Sequence, residues 1–257
     1  VFSDFKLRVS YGVNGNQEIG NYLYLPTFQP TNGFAEYPFG TNLVSPIRPN
    51  AVDPNLKWEE TTSLNVGLDF GLLKGRLTGS MEFYNKDTKD LLFVVNVPAG
   101  TVTGDQVLKN IGKVNNKGFE LSLNSTIIDK TDLRWNVGFN LTMNRSEVIS
   151  LDGVDDPNFQ GYPTGGISGG IGNYVQVLKV GYPVNTFRLF QHKTGANGLP
   201  LQDGVDWNND GVVNQADMYV DVNKDGVVND LDRVPNGLAY PQPKWFLGMT
   251  SNLTWKN

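Results

Sequence analysis

One pattern of oxygen donors occurs twice, fifteen residues apart, in the segment VDWNNDGVVNQADMYVDVNKDGVVNDLDRVP. The first copy sets Asp206, Asn208, Asp210, Gly211, Val212, Asn214 and Asp217 in series, and the second sets Asp221, Asn223, Asp225, Gly226, Val227, Asn229 and Asp232 at the same intervals. In such a loop the side chains at positions one, three and five converge on one point. A glycine at six permits the sharp turn, and the carbonyl at seven with the side chains at nine and twelve closes a cage for a hard cation such as Ca²⁺. The residues therefore predict a structural Ca²⁺ in each loop, the Val212 and Val227 ligands being main-chain carbonyls. Position twelve is aspartate in both copies rather than the usual glutamate, and the shorter arm weakens the case for two-oxygen ligation. A pair of Asp/Asn turns held by their own backbone stays open as the alternative.

Charge follows the loops. Residues 203–232 hold eight aspartates against the single base Lys224, a net −7, whereas the rest of the chain has 20 basic and 18 acidic residues, a net +2. The acidity is local, and so many carboxylates together repel one another unless a cation or bulk water offsets them. There is no basic stripe of the kind that binds nucleic acid.

Other chemistry is sparse. Cysteine is absent and His192 is the sole histidine, which excludes thiolate chemistry and a multi-histidine metal site and leaves no histidine triad in prospect. His192 is expected as a polar surface or lumen residue. The stretch Gly161–Gly172 lacks the Gly-Lys-Ser/Thr ending of a phosphate loop and is expected as flexible loop. No base, nucleophile and orienting group come together, so an enzyme is not expected.

The elements that position these residues read as strands. Leu64, Val66, Leu68, Phe70 and Leu72 alternate with Asn65, Gly67, Asp69 and Gly71, and the same period of two recurs in five other segments: Phe5–Val13, Arg76–Tyr84, Phe119–Ile127, Leu133–Asn144 and Trp245–Trp255. No segment shows a comparable helical period, and no apolar run approaches the 18 residues of a membrane helix. At roughly ten to thirteen residues these strands are about twice the usual soluble length and suit a tilted crossing of a bilayer. The opposing face is polar, as expected of a wet lumen, with Asp69, Arg76, Glu82, Glu120 and Arg134 facing the lumen or a plug. A soluble sheet with one solvated face gives the same alternation.

Connections also alternate. Leu73-Lys74-Gly75 and Asp129–Asp132 read as tight turns, whereas 14–60, 86–116 and 146–243 are long and rich in Gly, Pro and Asn, and are expected as extracellular loops. Within the last, Val180–Phe190 is expected as a short hairpin. The fold class expected is all-β: antiparallel up-and-down strands forming part of a transmembrane β-barrel wall. The chain starts in mid-pattern at Val1 without a leader and reads as an excerpt.

The segments LRVSYGVNGNQEIGNY at 7–22, PNLKWEETTSLNVGLDFGLLKGRLTGSMEFYNKDTKDLL at 54–92, NIGKVNNKGFELSLNSTII at 110–128, VGYPVNTF at 180–187, DVNKDGVVNDLDRV at 221–234 and PQPKWFLGMTSNLTW at 241–255 resemble SusC/RagA-type TonB-dependent outer-membrane transporters. The resemblance runs in order along nearly the whole chain. It implies a late portion of a 22-stranded barrel in the cell outer membrane, with the plug and TonB-contacting segment outside this chain. The implied function is energised import of a bulky nutrient, a glycan or peptide, with a SusD-type surface lipoprotein as partner and outer-membrane lipid around the wall. The second acidic loop fits the family's pattern better than the first. The alternative reading is a secreted, calcium-stabilised, β-rich glycan-binding module, which would not need detergent.

Overall fold

The computed structural model describes residues 2–30, 36–96, 106–151, 159–168, 174–235 and 241–256, and these form two compact units. Parts of all three long connections, and residues 169–172 of the glycine-rich stretch, lie outside the described residues. In chain order the strands are β1 (Phe2–Asn16), β2 (Phe28–Pro30), β3 (Tyr37–Phe39), β4 (Asn42–Val44), β5 (Ile47–Pro49), β6 (Glu59–Leu72), β7 (Leu77–Asn96), β8 (Gln106–Lys130), β9 (Leu133–Ser150), β10 (Tyr162–Gly166), β11 (Tyr174–Leu178), β12 (Thr186–Phe190), β13 (Arg233–Pro235) and β14 (Trp245–Trp255). Among the described residues one short helix, α1 (Gln215–Met218), and one 3₁₀ turn at Asp230–Asp232 complete the list, so the fold is all-β. No described helix is long and apolar enough to cross a membrane.

The first unit is a six-stranded antiparallel sheet in the order β1-β6-β7-β8-β9-β14, which takes up all six alternating segments. Its register aligns the apolar parity of every strand. Leu7, Leu68, Met81, Leu121, Leu141 and Leu247 form one row across all six strands, and Val9, Val66, Phe83, Phe119, Met143 and Trp245 form another. A slip of one residue in any pair would move that strand's whole apolar set to the other face, so the shared period excludes odd slips of register. On β9 the apolar parity runs from Leu133 to Met143. Ten steps at about 3.3 Å each, tilted by about 40°, span roughly 25 Å, the height of a lipid-facing band.

Nothing described covers that face. The buried hydrophobic residues are Val107, Val148, Leu151 and Val177, none of them in the band. Among the described residues of the first unit no second sheet is packed on this one across a common core, the arrangement that would identify a soluble sandwich.

Two expectations need correction. The stretch 86–116, expected as loop, is mostly ladder: β7 continues to Asn96 and β8 begins at Gln106, with Val94 opposite Leu108 and Val95 opposite Val107. The apolar run Leu91–Val95 has the β-branched and aromatic character that favours pairing, and the register shifts between Thr88 and Leu92 are absorbed with Asp90 at φ +59°. The glycine-rich stretch is also partly strand, since β10 pairs with β11 from Tyr162↔Leu178 to Gly166↔Tyr174.

The second unit, residues 157–244, holds the four-stranded sheet β10-β11-β12-β13 and both acidic loops. β11 and β12 form the hairpin expected around Val180–Phe190, turned by Pro183 and by Asn185 at φ +58°. The Thr186 hydroxyl, buried, donates to the Pro183 carbonyl at 2.7 Å.

Candidate functional site

On the polar face of the first unit, Asp69, Glu82 and Glu120 come together. Arg8 donates to both Asp69 oxygens, at 2.8 and 3.0 Å, and its Nη2 lies 3.5 Å from Glu82. It reaches them across Gly67, where an added Cβ would stand 2.9 Å from the guanidinium carbon. Glu82 in turn is the direct cross-strand partner of Glu120. This polar row therefore reads cation, gap, carboxylate, carboxylate across four strands.

The other two expected lumen residues lie at the short-turn end. Arg76 sits in the β6–β7 turn and donates to the Thr126 and Ile127 carbonyls beside the register shift in β8. Arg134 donates to Asp129 at 3.2 Å across the β8–β9 turn. Arg8 and Tyr84 were not among the expected lumen residues. Tyr84 lies over Gly118 and its hydroxyl donates to Asn144 Oδ1 at 3.2 Å, spanning three strands. The signal for both was a long side chain with a polar end on the polar face, opposite a glycine on the next strand, which only the register reveals.

The two acidic loops of the second unit have one bonding plan. In the first, Asp206 accepts from the amides of Asp210 and Gly211, Asn208 accepts from Asp210, and Asp210 accepts from Val212. In the second, Asp221 accepts from Lys224, Asp225 and Gly226, Asn223 accepts from Asp225, and Asp225 accepts from Val227. Gly211 and Gly226 take φ +86° and +88°, the left-handed turn that position six requires. Asn214 and Asn229 each cap the short helical turn that follows, and each amide donates to the carbonyl of Val212 or Val227 at 3.3 Å.

Position twelve works from beneath. Asp217 and Asp232 are both fully buried, each accepting three amides from its own loop. The Asn214 amide, against the opposing effect of burial, and then the Asn208 and Trp207 amides and the Lys193 charge hold the Asp217 carboxyl below the usual carboxylate range. The Asn229 amide, again against burial, and the Val222 and Asn223 amides do the same for Asp232. Among the described residues no three Asp, Glu, His or Cys side chains are gathered as a metal centre. Oxygen capacity is not exhausted, however. A carboxylate accepts about four hydrogen bonds, so Asp206 keeps lone pairs free while Asp217 keeps about one.

A single stretch of chain, Arg188–Lys193, holds both loops. Arg188, 7% exposed, donates to the Asp230 carboxylate at 3.0 Å and to its carbonyl at 2.6 Å, and β13 leaves the second loop as the neighbour of β12. The Lys193 ammonium donates to the Ala216 carbonyl at 2.6 Å, and its amide donates to Met218 at 2.7 Å. Tyr219 stacks on Phe190 at 4.8 Å and meets His192 edge-on at 5.1 Å. His192 is thus a half-buried packing residue beside the first loop.

A family model described as TonB dependent receptor-like, beta-barrel matches residues 1–255. The TonB-dependent receptor SusC of Bacteroides thetaiotaomicron is 38% identical over 259 residues, covering 100% of this chain and 24% of that protein. The TonB-dependent receptor P26 of Formosa agariphila is 32% identical over 272 residues, with 100% and 24% coverage. The solved RagAB peptide importer in its open-open state superposes with a TM-score of 0.71 at 26% identity, covering 99% of this chain and 25% of that one. The chain spans about a quarter of the length of the proteins it matches.

Proposed function

Because the chain belongs to the TonB-dependent receptor-like β-barrel family, we propose that it is wall and loop of an outer-membrane transporter that imports a bulky nutrient, a glycan or a peptide, together with a SusD-type surface lipoprotein. The family consists of transporters rather than enzymes and places the chain in the cell outer membrane. The carrying observation is the six-strand register, which sets unbroken apolar rows on one face and the Arg8, Asp69, Glu82 and Glu120 charges on the other. The apolar face takes lipid, and the polar face, with Arg76 and Arg134 at its short-turn end, lines the solute path. Motive force enters through TonB-contacting regions outside this stretch. No observation favours the secreted-module alternative.

The test is uptake by cells expressing the complete protein. Labelled oligosaccharide and labelled oligopeptide should be compared with the TonB system intact and disabled, and the surface lipoprotein sought by co-purification. Energy-independent uptake of both, or of neither, sinks this reading.

The acidic loops serve that wall as structural Ca²⁺ sites in this proposal. Asp221, Asn223, Asp225, the Val227 carbonyl, Asn229 and Asp232 hold one ion and the matching first-loop atoms, Asp206, Asn208, Asp210, the Val212 carbonyl, Asn214 and Asp217, hold another. What supports this is the repeated hard-oxygen donor set and the left-handed glycine at position six in both loops. Position twelve, engaged by three amides, contributes a single oxygen.

A further inference from the structure

We infer that Lys117 and Arg145 form a binding site for the phosphate of an outer-leaflet lipid headgroup. The two residues are direct partners on β8 and β9 and share the parity of Phe119 and Met143 in the adjacent row. Two cations therefore face each other across neighbouring strands on the lipid side of the sheet. Like charges placed so are destabilising unless an anion lies between them.

Their height on the wall selects the anion. The row beneath them is apolar on all six strands, from Val9 to Trp245, while their own row contains Tyr11, Leu64 and Asn85. The pair sits one row beyond the apolar band, where hydrocarbon gives way to headgroups. It lies toward the end bearing the long connections, which in outer-membrane barrels is the cell exterior.

Other charged groups on this face leave the pair available. Glu147 stands 3.7 Å from Arg145, a loose contact, and Asp87 is already engaged by the Asn115 amide at 3.0 Å. Farther along, Lys89 is paired with Glu60 at 2.8 Å. Among the described residues Lys117 makes no ion pair, and the Arg145 side chain is 58% exposed. A planar guanidinium beside a compact ammonium suits a phosphate, which the first can grip with two N–H groups and the second as a point charge.

This inference rests on the outer-membrane reading above. The experiment uses the complete protein in detergent, with bis-phosphorylated lipid A, dephosphorylated lipid A and inorganic phosphate as probes, and bound lipid counted by native mass spectrometry. Wild type should prefer the phosphorylated lipid by about 30-fold, the conversion of about 1 kcal/mol per interfacial cation. The variant Lys117→Gln/Arg145→Gln should lose that preference. Lys86→Gln, at the same level but of lumen parity, should keep it. If the double variant does not show the heat-modifiable migration of a folded barrel, Lys117→Gln alone should lose about half the preference on a logarithmic scale. Unchanged preference in folded variants overturns the site, as does equal loss in Lys86→Gln. Full competition by equimolar inorganic phosphate overturns the lipid assignment. A complete protein that stays soluble without detergent would instead overturn the outer-membrane reading itself.

Discussion

Asp217 and Asp232, fifteen residues apart, grip equivalent amides: Trp207, Asn208 and Asn214 for the first, Val222, Asn223 and Asn229 for the second. Each carboxylate closes its loop from inside, so the loop is already ordered around its own acid.

The order should therefore depend on pH. Both carboxyls are held below the ordinary value near 3.9, so their contribution is complete above that value and is lost as pH falls through the lower folded value. Pepsin cleavage between residues 203 and 233 should stay slow at pH 4 and accelerate toward pH 2. Asp232→Asn should accelerate it at pH 4, selectively in the second loop. A cleavage rate flat across that range would contradict the assignment.

Calcium should add to this order in proportion to the logarithm of its concentration, because it binds only the ordered loop. Calorimetry on metal-stripped protein should detect uptake, and Asp225→Ala should abolish the second-loop component while the strand signal in circular dichroism persists. With no uptake, and with protease sensitivity indifferent to chelator, the loops are self-capped acidic turns.

The two faces of the sheet should respond differently to charge. Leu121 lies between Met81 and Leu141, one row inside the Met143 edge of the apolar band, and Leu121→Arg should cost about 1 to 3 kcal/mol in folding into lipid vesicles, between the interfacial and midplane values. Glu120→Arg, the adjacent residue on the polar face, should leave assembly intact and change solute selectivity. Charge reversal at Asp69, Arg76, Glu82 or Arg134 should behave like Glu120. If each single reversal prevents barrel assembly, the lumen assignment is wrong.

Gly79→Ala probes packing on the apolar face. A Cβ there would stand 2.6 Å from the Phe70 ring, 2.7 Å from Leu123 and 2.8 Å from the Ser122 carbonyl oxygen. The last is backbone and yields little, so the substitution should destabilise by about 1 to 3 kcal/mol in urea unfolding of the vesicle-bound protein. No change in midpoint would mean that the Ser122 backbone gives way along with the two side chains.

The faces of the wall were legible because a period of two survives ignorance of the register. Register-dependent features were not: Arg8 meeting Asp69 and Glu82, or Lys117 meeting Arg145, requires knowing which residues are opposite. The turn Leu73-Lys74-Gly75 was placed correctly, yet its left-handed φ values of +55°, +59° and +84° carry no Asn-Gly signature at the first two positions. The second unit was the least legible part. Its strands of three to five residues are too short to display alternation, so β10, β11 and β13 hid within an apparent loop and only the hairpin at Val180–Phe190 showed. The repeated donors of the acidic loops were plain, but the burial of Asp217 and Asp232 depends on which amides the fold turns toward them.

The wall joins each strand to its chain neighbour, β9 to β14 included, although 94 residues separate Ser150 from Trp245 and only four separate Leu72 from Leu77. Closing the longer connection costs roughly 3 kcal/mol more chain entropy than closing the shorter, since each doubling adds only about 0.6 kcal/mol. A frame of this kind tolerates large exchanges of sequence within that connection, because the pairing of β9 with β14 rests on the strands' own ladder and not on the length of chain between them.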